Sequence, residues 1–79
     1  MARGTPDLLK AFLAESPSLT RFFRRSTGSA AAAEDLSQEV WLRIAAVEAV
    51  GIANVPAYLW RISENLAADA ARTRARRRL

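Results

Sequence analysis

Apolar residues recur along the chain at three-and-four spacing, which is the period of an amphipathic helix, and no stretch alternates in the manner of a strand. Leu8, Leu9, Phe12 and Leu13 give a first helix its apolar face, and Thr5-Pro6-Asp7 supplies a hydroxyl cap, a first-turn proline and an acid at its start. Ser16-Pro17 repeats that punctuation, so a second helix is expected there, carrying Leu19, Phe22 and Phe23 on one side and Arg21, Arg24 and Arg25 on the other. Gly28 is its expected stop, because glycine accepts the left-handed conformation that ends helices. Ser29 then caps a third helix in which Ala33, Leu36, Val40, Ile44 and Val47 share a face about 80° wide. Asn54 and Pro56 open a fourth, with Val55, Leu59, Ile62, Leu66 and Ala70 as its core stripe. The pattern therefore predicts an all-α, compact four-helix domain with helices at about 6–15, 17–27, 30–48 and 55–75.

Composition narrows what such a domain can do. The 79 residues form one domain, 1–79, with a single modest core, since a chain this short buries only roughly 60% of its unfolded surface. Without cysteine or histidine it lacks disulfides, thiolate metal sites and the commonest general base. No pair of carboxylates sits in an apolar context that would shift a pKa, so the chain is not expected to be an enzyme, and neither metal nor cofactor is expected. No apolar run approaches the length of a membrane span and the N-terminus lacks a secretory signal, which predicts a cytoplasmic protein without membrane insertion. The net charge is +4, and eleven of the 12 basic residues are arginine, five of them between Arg72 and Arg78. A basic end rich in guanidinium groups suggests a nucleic-acid partner, against the plainer reading of a solvated tail.

Two surfaces lie outside the core stripes. On the third helix, Asp35, Gln38, Glu39 and Leu42 fall within about 100° of one another on the outward side. An apolar residue among acids and an amide there suggests a protein partner, with Trp41 on the flank either extending the patch or packing on a neighbouring helix. On the fourth helix, Tyr58, Arg61, Asn65 and Arg72 fall in a stripe roughly 60° wide. A ring can stack on a base, an amide can read a base edge and guanidinium groups can hold phosphates, the combination single strands call for. Asp69 lies along the same stripe and can hold Arg72 across three residues, so a salt-bridged, solvated face is the competing reading. Trp60 sits about 120° from the stripe and is assigned to structure. On spacing alone, three functions stay open: a single-strand-binding module, a helical adaptor that binds only protein, and a module that reads double-stranded DNA.

Ala33-Glu34-Asp35-Leu36-Ser37-Gln38-Glu39-Val40-Trp41-Leu42-Arg43-Ile44 resembles the second conserved region of extracytoplasmic-function sigma factors. After a short interval, Pro56-Ala57-Tyr58-Leu59-Trp60-Arg61-Ile62-Ser63-Glu64-Asn65-Leu66-Ala67 looks like the promoter-melting segment of the same family, in the form most similar to its iron-starvation branch. The resemblance covers roughly Leu19 to Arg78, and Glu64 departs from it, standing where a small or basic residue is common. It implies that Asp35, Gln38, Glu39 and Leu42 dock on the clamp helices of the RNA polymerase largest subunit. It further implies that Asn54, Tyr58, Arg61, Asn65 and Arg72 hold the non-template single strand of the promoter −10 element, with a flipped base in the loop Glu48 to Asn54. An anti-sigma factor is a further partner the family allows. The family's second, helix-turn-helix domain has no counterpart here, and the chain stops inside an arginine-rich linker, so it reads as an excised domain or a truncated protein, with excision the favoured expectation.

Overall fold

The computed structural model describes residues 6–46 and 52–77, with side chains from residue 8 onward. Three helices account for nearly all of them: α1 (Pro6–Thr27), α2 (Ala30–Ala45) and α3 (Val55–Arg77). The expected pair 6–15 and 17–27 is one helix, and Pro17 lies inside it. An interior proline forfeits the hydrogen bond its N–H would have made to the carbonyl four residues back, here Leu13. Both residues are on the exposed side, where water can satisfy that carbonyl. Packing decides the outcome, because Leu8 and Phe12 before the proline and Leu19 and Phe23 after it continue one stripe into one core. Leu9 and Leu13, expected on the apolar face, are instead 37% and 63% exposed.

Gly28 ends α1 with φ +71 and donates its N–H to the Arg24 carbonyl over 2.8 Å. Ser29 follows at once as the cap of α2, its hydroxyl accepting from Ala32 N–H at 3.1 Å. Two residues thus turn the chain back on itself, and Phe12 meets Trp41 with ring centroids 5.4 Å apart across the resulting hairpin. α2 stops at Ala45 and not at residue 48: Ala46 closes the last turn, with its N–H on the Arg43 carbonyl at 3.3 Å. Asn54 caps α3 as expected, its Oδ1 accepting from Ala57 N–H at 3.0 Å, and the helix runs two residues past the expected 75. The readings placed on Thr5, Val47, Glu48–Gly51, Arg78 and the side chain of Asp7 lie outside the described residues.

α3 lies along α1 in the same sense. Trp60 meets Phe22 at 5.6 Å, and further along Arg74 Nη2 donates to the Ser26 carbonyl at 3.1 Å. The core between the helices consists of Leu8, Leu19, Phe23, Ala33, Val40, Ile44, Leu59 and Leu66. Each large apolar side chain buried there contributes about 1.5–3 kcal/mol. Ser63 is the polar residue fully buried among them, and its hydroxyl donates to the Leu59 carbonyl at 2.9 Å. That leaves the outer faces of α2 and α3 free for partners.

Candidate nucleic-acid interface

The start of α3 positions the first group. Because Asn54 is the cap, its side-chain oxygen is committed to the backbone of the first turn, which leaves the amide NH2 to donate outward. Tyr58 sits one turn later, half-buried with its ring against the core, and Arg61 follows on the exposed side. Ile52, Ala53, Asn54, Ala57, Tyr58 and Arg61 line a shallow recess of about 330 Å³. Asn54, Tyr58 and Arg61, named from the sequence, thus meet in one place.

Asn65 is exposed one turn beyond, continuing the line along the helix. Arg72 is fourteen residues past Tyr58, about 21 Å away at 1.5 Å per residue. It is exposed and paired with the Asp69 carboxylate, so it stands apart from the recess and its guanidinium is partly engaged. Ile52 was named from the sequence only as part of the loop Glu48 to Asn54. It packs against the core and forms a wall of the recess, and its signal was an apolar residue two positions before a helix cap.

Trp60 lies on the side of α3 that faces α1. Its indole N–H donates to Glu15 Oε1 at 3.0 Å while its ring meets Phe22 edge-on, so it is a packing residue.

On α2, Asp35, Gln38 and Leu42 are exposed, Leu42 to 61%. Glu39 is half-buried, and its carboxylate accepts from Arg43 Nε at 3.4 Å. Trp41 does both things that the sequence allowed: it packs on Phe12 and remains 39% exposed beside this patch. Between α1 and α2, Phe12, Thr20, Arg24, Glu34, Gln38 and Trp41 line a groove of about 510 Å³ that opens next to it.

The domain thus carries an acidic and apolar face on α2 and an aromatic, amide and arginine stripe on α3. Residues 11–77 match the family model for sigma-70 region 2, and the chain belongs to that family. It is therefore a sigma-factor domain of transcription initiation, the part that binds RNA polymerase and takes part in promoter recognition. No curated protein and no solved structure matches the chain. Among the described residues, no helix is long and apolar enough to cross a membrane.

Proposed function

We propose that this domain holds the non-template strand of a promoter −10 element in the recess at the start of α3 while the outward face of α2 docks on the clamp helices of the RNA polymerase largest subunit. The observation that carries the DNA half is the meeting of Asn54, Tyr58 and Arg61 around one recess, with Asn65 exposed on the next turn. A base turned out of the strand enters the recess against the Tyr58 ring, the Asn54 and Asn65 amides bond its edge or its neighbour's, and Arg61 takes a phosphate. Flipping a base costs a few kcal/mol and stacking returns about 1–3 kcal/mol per base, so the balance is close to even. Phosphate contacts tip it, with a salt slope of about 0.7 per phosphate on single strands. Isolated binding is accordingly weak, and polymerase supplies the local concentration. The Asp35, Gln38, Glu39 and Leu42 face is the polymerase side, and an anti-sigma factor would compete for it. The run from Pro56 to Ile62 supports membership of the extracytoplasmic-function group and its iron-starvation branch.

Fluorescence anisotropy with a labelled −10 single strand tests this. Tyr58→Ala, which removes a stacking contact, and Asn65→Ala, which removes an amide bonded to a base edge, are each expected to weaken binding about five- to 150-fold, with helicity unchanged. Affinity equal to the parent in both variants would discard the DNA assignment. Absence of any salt-dependent oligonucleotide binding would instead favour a protein-only adaptor.

A further inference from the structure

We propose that the free domain pairs with a second copy of itself through the outer seam of the α1–α2 hairpin, in a symmetric four-helix contact that overlaps the polymerase face. The pairing draws on residues outside the polymerase reading, and only the overlap, through Gln38 and Leu42, rests on it.

Both helices of the hairpin carry a second stripe that the core does not use. On α1, Leu9, Leu13, Ser16, Thr20 and Arg24 recur at three-and-four spacing and fall within about 80° of one another. On α2, Glu34, Gln38, Trp41 and Ala45 repeat that spacing within about 60°. The two stripes run side by side along the open groove between the helices. Leu9, Leu13, Trp41 and Leu42, the large apolar side chains left exposed among the described residues, all stand on this side. A single exposed leucine needs no explanation, whereas four large apolar side chains gathered along one seam mark a surface that another protein covers.

The order of residues along the seam selects the occupant. Because Phe12 meets Trp41, the four apolar side chains share the end of the hairpin where α1 begins and α2 finishes. Ser16, Thr20 and Gln38 make the middle polar, and Arg24 and Glu34 line the groove toward the Gly28–Ser29 turn. There α1 supplies the cation and α2 the acid. The ion pairs among the described residues are Glu39–Arg43 and Asp69–Arg72, so neither charge is taken up by them. A two-fold axis along the hairpin lays α1 of one copy on α2 of the other and matches each end of the seam to its like. Leu13 then meets Trp41 and Leu42 of the second copy, and Arg24 meets its Glu34, each contact occurring twice. One partner helix would cover one stripe; a second hairpin covers both, as antiparallel pairs do in four-helix bundles. The polar middle keeps the contact weak, so a tighter partner displaces it.

Sedimentation equilibrium of the full chain, without polymerase or DNA, tests the pairing. The mass is expected to rise from monomer to dimer with a dissociation constant of about 10–100 µM, as suits a small, partly polar contact. Leu13→Glu should raise that constant at least about tenfold, with helicity unchanged because Leu13 is 63% exposed. Arg24→Glu and Glu34→Arg should each raise it about tenfold, since each turns two attractions into two repulsions. An equimolar mixture of those two variants should return to within about threefold of the parent, because both contacts across the mixed dimer are again opposite in sign. Mixing cannot repair a charge contact made within one chain. A monomer mass at every concentration overturns the proposal, and so does a dimer that the three variants leave intact or that mixing fails to rescue. A clamp-helix fragment should convert the dimer to monomers bound to the fragment, and a fragment retained on an intact dimer overturns the shared seam. If the fragment is not retained at all, the polymerase reading fails while the mass and mixing measurements still decide the pairing.

Discussion

Trp60 of α3 donates its indole N–H to the Glu15 carboxylate of α1 across 3.0 Å, and the same ring meets Phe22 edge-on at 5.6 Å. This pair sets the rotation of α3. With Trp60 turned toward α1, Arg61 and Asn65 point to solvent, and Tyr58 stands at the recess. Trp60→Phe keeps most of the ring contact and removes the donor. Loss of a hydrogen bond to a charged acceptor costs about 1.5–3 kcal/mol, discounted here toward about 1 kcal/mol because Glu15 is half-exposed. Urea unfolding followed by circular dichroism should show that decrease, with single-strand affinity within twofold of the parent. A variant of parental stability that fails to bind DNA would make Trp60 a stacking residue instead.

Pro17 gives the second prediction. It is exposed and sits at the middle of α1, so its replacement removes no core contact and returns a hydrogen bond to the Leu13 carbonyl. An interior proline costs a helix about 3 kcal/mol, offset in part by the roughly 0.4–1 kcal/mol with which it restricts the unfolded chain. Pro17→Ala is expected to stabilise the domain by about 2–2.6 kcal/mol, a rise in thermal midpoint of roughly 8–21 °C for a chain of this size. A fall in the midpoint would mean that proline sets a needed bend between two shorter helices.

The same proline shows where the sequence was readable and where it was not. Gly28, Ser29 and Asn54 were legible because each does a local job, a positive φ or an oxygen for a free N–H, that few other residues do. The buried stripes of α2 and α3 followed from periodicity alone. Ser16-Pro17 misled because its local signal is the same at a helix start and in a helix interior, and only the shared core of Leu8 and Leu19 distinguishes them. Leu9 and Leu13 were misplaced for a related reason: two turns read in isolation cannot locate the centre of a face that spans six. The contacts Glu15–Trp60 and Ser26–Arg74 join residues 45 and 48 positions apart. They depend on how finished helices dock, which no local pattern encodes. Of the candidate sites, the residue types and their faces were legible, whereas the recess with its Ile52 wall required the loop's placement.

Ser63 is a buried residue that periodicity did not mark. It is fully enclosed, with its hydroxyl satisfied by the Leu59 carbonyl one turn back. The hydroxyl therefore serves its own helix, and the small volume serves packing. Ser63→Ala should change stability by less than about 1 kcal/mol, as expected when a locally bonded hydroxyl is removed and its backbone partner keeps its helical bond. Ser63→Leu forces extra methylenes into the core and should cost about 1–3 kcal/mol in a urea titration. If the alanine variant were the worse of the two, the hydroxyl would be holding something other than Leu59.

Leu42 is the sharpest probe of the polymerase face. At 61% exposure it contributes little to the fold, so truncation should change the unfolding free energy by no more than about 0.5 kcal/mol. Gln38 is exposed on the previous turn, where it also borders the groove between α1 and α2. Glu39 differs from both, since its carboxylate is held by Arg43 at 3.4 Å and removing it also frees a cation. The double variant Gln38→Ala, Leu42→Ala should lose retention on an immobilised clamp-helix fragment while its circular dichroism spectrum and its affinity for the −10 strand stay parental. Glu39→Gln should weaken retention less, because an exposed pair of this kind contributes about 0.2–1 kcal/mol. Full retention by the double variant would place the polymerase contact elsewhere on the domain, and the apolar groove beside Trp41 would be the next surface to test.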